Sequence, residues 1–468
     1  MAAPIDGEAL AAEVGNANFD DERLNKRLRA LVAGLAEDPT RSLPSAFDDA
    51  GLEGAYRFFS NHRVTPDDIL SSHVEATRRR CESAGDFLVL HDSTKFTYRH
   101  DGEREGLGRA QLGNASSVQV FFAHVSLALA ADGTRRPLGV VALKTWVRGT
   151  SRSGVEYQRW ESQLRVASEG AGSRARAIHV MDREADDYDM FHSLARDGFR
   201  YVVRSQHNRW LEQEGASRLR DVFAQLECTV ERQATLTRRK PSRNPVVTKA
   251  HPARAARIAK LSVSAVMVAL KRPRSPRAHV DLASLPPSLR LNVVRVWEPE
   301  PPEGAEPVEW FLYTTEPIAT AEQQLAIVDH YRARWTIEEY FKAIKTGCEF
   351  ERRQLQDYES LVNLLATFAP IAYQLLLIRN EARRTPDADA CEVLSQDHLD
   401  VLRARGRTRL SASPTVREIY LAIAVLGGHI KYRKKDPGWI TLARGLADLE
   451  LLTEGWRLSK LQQASDQR

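Results

Sequence analysis

Three acidic residues in this chain sit where chemistry is possible. Asp92 follows the apolar run FLVLH in FLVLHDST, and Asp182 follows AIHVM in AIHVMDREAD. Glu338 lies in YRARWTIEEYFKAIKTG, residues 331–347, where Tyr331, Arg334, Glu338 and Lys345 recur at steps of three, four and seven. At 3.6 residues per turn those steps return to nearly one helix face. A buried stripe is usually apolar, but this one offers a phenol, a guanidinium, a carboxylate and an ammonium. The carboxyl ends of strands in an α/β sheet are where sites gather, because the loops there are free to carry polar groups. Three carboxylates brought together repel unless a cation sits among them, and Mg²⁺ is the natural occupant. Two such ions about 4 Å apart can activate a water and stabilise the leaving oxygen of a phosphodiester. Plainer readings stand beside this one. A strand-end aspartate also serves as a turn cap, and Arg334 with Glu338 also makes an ordinary i,i+4 ion pair. The pattern alone leaves Glu338 and Glu339 undecided.

The elements that must position these groups are legible in outline. FDDERLNKRLRALVAGLAED reads as a helix capped by Asp20 or Asp21, with Leu24, Leu28, Leu31 and Leu35 as its buried stripe. A second helix is expected over SAFDDAGLEGAYRFFSN, and a third after Thr65 as cap and Pro66 as first helical residue. Residues 1–80 thus form a helical, basic-faced module. From Phe87 the texture changes to strands: one ending in Asp92, two more joined by a turn at Asp132 and Gly133, and another ending in Asp182. A helix with a Gly198 stop and the strand FRYVVRSQ follow. Antiparallel strands followed by strands alternating with helices predict an α/β fold, a mixed sheet covered by helices. Residues 211–300, rich in proline and alternating stretches, read as a β-rich insertion. EWFLYTTEPI returns to the core, and one long helix is expected from about Ala321 to Thr346. Beyond it come mostly helices, with a polar connector around 384–412 and a turn at Asp436-Pro437-Gly438.

Bulk properties narrow the setting. The 468 residues are 43% apolar and 28% charged, as in a soluble globular protein of two to four domains. No run of about 18 apolar residues is evident, so no membrane span is expected. The start MAAPIDGEAL has no basic stretch followed by an apolar one, so no secretory leader is expected either. Cys81, Cys228, Cys348 and Cys391 are far apart, form no metal-type pair and suit a reducing cytoplasm. The net charge is +5, yet residues 231–280 hold thirteen Lys or Arg against Glu231 alone, so the rest of the chain is acidic. That contrast suggests a polyanionic partner for the basic segment.

Taken in order, the motifs resemble the bacterial insertion-sequence DDE transposases of the transposon-five type, in the insertion-sequence-four family. EGAYRFFSN resembles that family's N-terminal DNA-binding module. HDST with TYRH resembles its first aspartate region, and MDREAD followed by YVVRS the second. EWFLYTTEP and the 331–347 helix resemble the third, whose signature is Tyr, two residues, Arg, three residues, Glu, six residues, Lys. Tyr331, Arg334, Glu338 and Lys345 occupy all four positions.

The resemblance implies a ribonuclease-H-like catalytic core over residues 81–375, with the basic β-rich insertion at about 211–300. It also implies a helical DNA-binding domain at 1–80 and a helical, dimer-forming region at 376–468. Asp92, Asp182 and Glu338 would hold two Mg²⁺ ions, with Mn²⁺ able to substitute. By the signature spacing, the third carboxylate is Glu338 and not Glu339. Tyr331, Arg334 and Lys345 would clamp DNA, Arg204 would contact phosphate, and Trp310 would stack on a base flipped from the duplex. The implied function is cut-and-paste transposition by a homodimer on double-stranded DNA, through a hairpin intermediate and 3′-end joining, in a bacterial cytoplasm. The alternatives are a ribonuclease-H-like DNA nuclease without strand transfer and a non-catalytic DNA-binding regulator.

Overall fold

The computed structural model describes residues 7–466 apart from 18, 100–101, 113–114, 148–154, 214–215, 240–251, 275–281 and 431–435. Large parts of the basic run, at 240–251 and 275–280, therefore lie outside the described residues. The chain divides into two compact units. The first comprises residues 1–152, 163–173 and 335–468; the second comprises 153–162 and 174–334.

The first unit opens with helices α1 (Gly7–Val14), α2 (Glu22–Glu37), α3 (Leu43–Ala46), α4 (Asp49–Phe59) and α5 (Pro66–Ser83). Asp21, Asp48 and Thr65 cap α2, α4 and α5 by accepting backbone N–H groups, and Pro66 opens α5 as expected. The expected second helix is shorter than its sequence suggested, because Asp48 caps it only after the separate turn α3. Strands β1 (Phe87–Tyr98), β2 (Gly108–Leu112), β3 (Ala115–Ala130) and β4 (Pro137–Trp146) form an antiparallel array around β3. β1 pairs along one edge of β3, while β2 and β4 share the other. Here the structure corrects the sequence reading. Asp92 does not end its strand; β1 runs on for six residues through alternating Thr94, Phe96 and Tyr98, paired throughout with β3.

The second unit holds β5 (Ala177–Met181), α7 (Tyr188–Arg196) and β6 (Arg200–Arg204), a parallel pair with a helical crossover, while α6 (Val155–Gly170) precedes them in the chain. Gly198, at φ +71°, makes the left-handed turn that ends the crossover helix. The insertion supplies β7 (Trp210–Gln213), β8 (Ala216–Arg218), the short helix α8 (Leu219–Ala224), β9 (Val230–Leu236), β10 (Arg257–Lys271) and β11 (Ser288–Trp297). β12 (Glu309–Thr314) joins this antiparallel array to β6. Helix α9 (Ala321–Ala333) packs on β6, β10, β11 and β12, with its start fixed by a reciprocal Thr320–Gln323 capping box.

The long helix expected to Thr346 is interrupted at one residue, Arg334, which itself keeps helical dihedrals of φ −50° and ψ −34°. Arg334 closes α9, and α10 (Trp335–Lys342) then passes into a π-helical turn at Ala343–Gly347. Tyr331 and Arg334 thus belong to the second unit, Glu338 and Lys345 to the first. The remaining first-unit helices are α11 (Tyr358–Arg384), α12 (Gln396–Arg405), α13 (Val416–Leu426) and α14 (Trp439–Asp466). α12 occupies part of the expected polar connector, because His398, Leu399, Val401 and Leu402 are buried together on it. α11 contains a stretch long and apolar enough on average to cross a membrane, although Asn363 and Gln374 interrupt its apolar run. That stretch is almost wholly buried, for α11 is the central helix of its unit and packs against α2, α4, α5, β4, α10 and α13.

Candidate active site

In the first unit, α10 packs on β1, the strand of Asp92, and carries Glu338 in its first turn. Asp92 lies opposite Val125 of β3, and its Oδ1 accepts the Ser93 N–H at 2.8 Å. Asp92, Thr94 and Phe96 share one strand face by alternation. Lys345 lies over that face. Its Nζ is 5.1 Å from the centre of the Phe96 ring and donates to the Lys95 carbonyl at 2.6 Å. Burial pushes the Lys345 ammonium below its ordinary pKa, Glu351 opposes the shift, and Lys95 adds to it. The π turn matters here, since one widened turn re-aims every later side chain relative to α10.

The two adjacent glutamates have different surroundings. Glu339 accepts from Lys342 Nζ at 2.6 Å and lies 3.6 Å from Arg379 Nε and 3.5 Å from Arg383 Nη1, both on α11. Burial alone would raise its carboxyl; the Lys342 hydrogen bond and the Lys342, Arg379 and Arg383 charges outweigh that and hold it below the ordinary value. Glu339 therefore fastens α10 to the central helix.

In the second unit the hub is Tyr331, only 3% exposed. Trp310 meets its ring edge-on, with centroids 5.3 Å apart and planes at 67°. Burial pushes the phenol above its ordinary pKa. Arg204 opposes that shift through its charge and a hydrogen bond, Arg334 opposes it through charge, and Asp182 adds to it. Four residues singled out in the sequence, Asp182, Arg204, Trp310 and Arg334, thus surround a fifth. Asp182 directly follows β5 as expected, and its Oδ1 caps a 3₁₀ turn by accepting the Glu184 N–H at 2.8 Å. Arg204 ends β6 opposite Leu312.

The sequence reading missed one support of this cluster. Asp186 is buried and accepts the Gln206 and His207 N–H groups at 2.6 and 3.0 Å, together with Arg209 Nε at 2.8 Å. Arg209 also donates to the Asp186 carbonyl at 2.9 Å. The turn after Asp182 is thereby tied to the loop after Arg204. The only hint was a second aspartate in MDREAD, four residues after the more conspicuous Asp182.

Among the described residues, no three His, Cys, Asp or Glu side chains form an ion site by themselves. Asp92 and Glu338 belong to the first unit and Asp182 to the second. Their donor chemistry, carboxylate oxygen throughout, suits a hard divalent cation.

Comparison with known families identifies two domains. Residues 6–64 match the transposase DNA-binding family, and residues 164–373 match the transposase DDE domain. The chain thus carries a transposase DNA-binding stretch and a transposase DDE domain. DDE transposase domains have a ribonuclease-H-like fold and generally use divalent metal ions. The match to the DDE domain spans Asp182, Arg204, Trp310, Tyr331, Arg334, Glu338 and Lys345, while Asp92 lies outside both matched stretches. Among solved structures, a piggyBac transposase synaptic complex with hairpin DNA is similar over 72% of this chain, at 10% identity and a TM-score of 0.31. The match covers 56% of that chain's length. A likeness of that size says nothing of shared activity.

Proposed function

We propose that this protein is a cut-and-paste transposase of the insertion-sequence, transposon-five type, acting on the terminal repeats of its own element. The observation that carries this reading is the placing of Glu338 on the helix that packs over the Asp92 strand, while its neighbour Glu339 is bound to Lys342, Arg379 and Arg383. Asp92, Asp182 and Glu338 would hold the divalent cation, Mg²⁺ as a pair of ions or Mn²⁺ in its place. Such ions supply an acidified water and balance the charge that builds on the phosphate.

The chain's own residues do the rest. Arg204, Arg334 and Lys345 donate to phosphate oxygens, and Lys345 exchanges the Lys95 carbonyl for that role. Trp310, half-buried beside Tyr331, stacks on an unpaired base at the element's end. Cutting begins with water attacking one strand. The freed 3′-hydroxyl then attacks the opposite strand to form a hairpin, a second water opens it, and the 3′ ends join target DNA. Each step is an in-line displacement at phosphorus, so one site serves them all. The working form is a homodimer pairing two DNA ends in the bacterial cytoplasm. Exposed Leu451, Leu458 and Leu461 on α14 suit a helix that packs on a second copy.

The test is an excision assay with purified protein, Mg²⁺ and a plasmid carrying the gene with its flanking DNA. Hairpin-ended fragments are the expected product. Nicks without hairpins would mean a nuclease, and end binding without any cutting in Mg²⁺ or Mn²⁺ would mean a DNA-binding regulator.

A further inference from the structure

Arg353 is 4% exposed and follows the 3₁₀ turn Phe350–Arg352, just beyond the π turn that carries Lys345. Its guanidinium donates to three backbone carbonyls: that of Arg41, that of Pro39 at 2.5 Å and that of Cys348 at 2.6 Å. Its face rests on Phe368 of α11, 4.7 Å from the ring centre. Cys348 is the residue on which the π turn ends. Pro39 and Arg41 form the loop after α2, inside the stretch that matches the transposase DNA-binding family. One rigid, planar fork thus holds both the end of the Lys345 turn and the DNA-binding segment. Neither can shift without breaking a buried hydrogen bond to a charged donor. Asn363 of α11 adds a second tie, donating to the Phe59 and Val64 carbonyls at 2.9 and 3.1 Å.

We propose that Arg353 is a positioning residue that fixes the register between DNA bound by the N-terminal segment and the phosphate presented to Glu338 and Lys345. The inference rests on the DNA-cutting function proposed above. Successive phosphates on a strand are about 3.4 Å apart along the duplex axis. A bound end that slips by that much relative to α10 is cut one nucleotide away. A three-carbonyl clamp of fixed geometry resists such a slip, where a flexible tether between a reading head and a catalytic core would allow it.

The experiment uses the full-length chain with Arg353→Met and Arg353→Lys. Cuts are mapped at nucleotide resolution on end-labelled DNA from the gene's flank. Hydroxyl-radical footprints on the same DNA, taken in Ca²⁺, read the register independently of cutting. Arg353→Met is expected to bind the end as the wild type does, yet to spread its cuts over neighbouring phosphates. Cutting at the proper phosphate should fall about tenfold or more, since even one of the three lost charged hydrogen bonds corresponds to about that factor, with Arg353→Lys restoring part of it. Cuts confined to the wild-type phosphate, however slow, would overturn the proposal. So would loss of end binding in step with loss of cutting, the signature of an arginine that merely stabilises the fold. If a variant makes no cuts, the footprint decides. Protection kept over the repeat but lost at the terminal phosphates supports the role, and protection kept at both refutes it. A wild type that never cuts would sink the transposase reading instead, and the footprints would still judge Arg353.

Discussion

Replacing Glu338 and Glu339 in turn by glutamine should give opposite signatures. Glu339 lies 3.6 Å from Arg379, whose side chain is 11% exposed and stacks on Trp439 at 4.3 Å. Of the partners of Glu339, Arg383 keeps Asp436 at 2.8 Å, and Lys342 is half exposed. Arg379 therefore bears most of the loss. Fully exposed pairs are worth about 0.2–1 kcal/mol, and breaking a fully buried pair costs about 3–5 kcal/mol. Glu339 retains 25% exposure, which places Glu339→Gln between these limits, at about 1–3 kcal/mol of stability. Its cutting rate, measured where the variant is folded, should stay within a few-fold of wild type. Glu338→Gln removes a proposed metal ligand and should lower cutting by on the order of 10²–10³ or more, with a smaller effect on stability. Urea unfolding of the full chain and the excision assay, run on both variants, read the two quantities separately. If Glu339→Gln abolishes cutting at unchanged stability while Glu338→Gln still cuts, the assignment of the two glutamates is reversed and the reasoning from α10 fails.

Three further outcomes are expected. Asp186→Ala leaves Arg209, with 12% side-chain exposure, buried without its carboxylate, and should cost about 3–5 kcal/mol; adding Arg209→Met should cost less than the two single effects summed. A loss under about 1 kcal/mol in urea would show that this pair does not hold the Arg204 loop. His179 is fully buried, and burial pushes its imidazole down to about 3. The unfolded chain therefore takes up a proton that the folded chain refuses. Its contribution is intact above about pH 6.5 and falls as the pH drops, by about 2 kcal/mol at pH 5. His179→Phe should flatten that part of the stability–pH curve, and an equally steep curve would refute the assignment. DNA binding should weaken strongly between about 50 and 200 mM salt, and insensitivity to salt would sink the phosphate-clamp picture.

Much of this was legible locally. Caps such as Asp21, Thr65 and Thr320 act within three residues, so sequence alone placed the starts of α2, α5 and the signature helix. Apolar runs placed β5 and β6 with Asp182 just past a strand end, and the steps of three, four and seven singled out Tyr331, Arg334, Glu338 and Lys345. Resemblance, not periodicity, chose Glu338 over Glu339. The physical distinction needed α11, because Arg379 and Arg383 approach from about 40 residues further along the chain. The same limit explains the errors. Whether β1 stops at Asp92 depends on the partner strand β3, which keeps pairing through Tyr98. Nothing in YRARWTIEEYFKAIKTG announces the one-residue interruption at Arg334 or the π turn. Arg353, Asp186 and Asn363 showed no local pattern at all. Their partners are backbone carbonyls, backbone N–H groups and a distant arginine, and every residue carries a backbone, so only the folded chain reveals which of them meet.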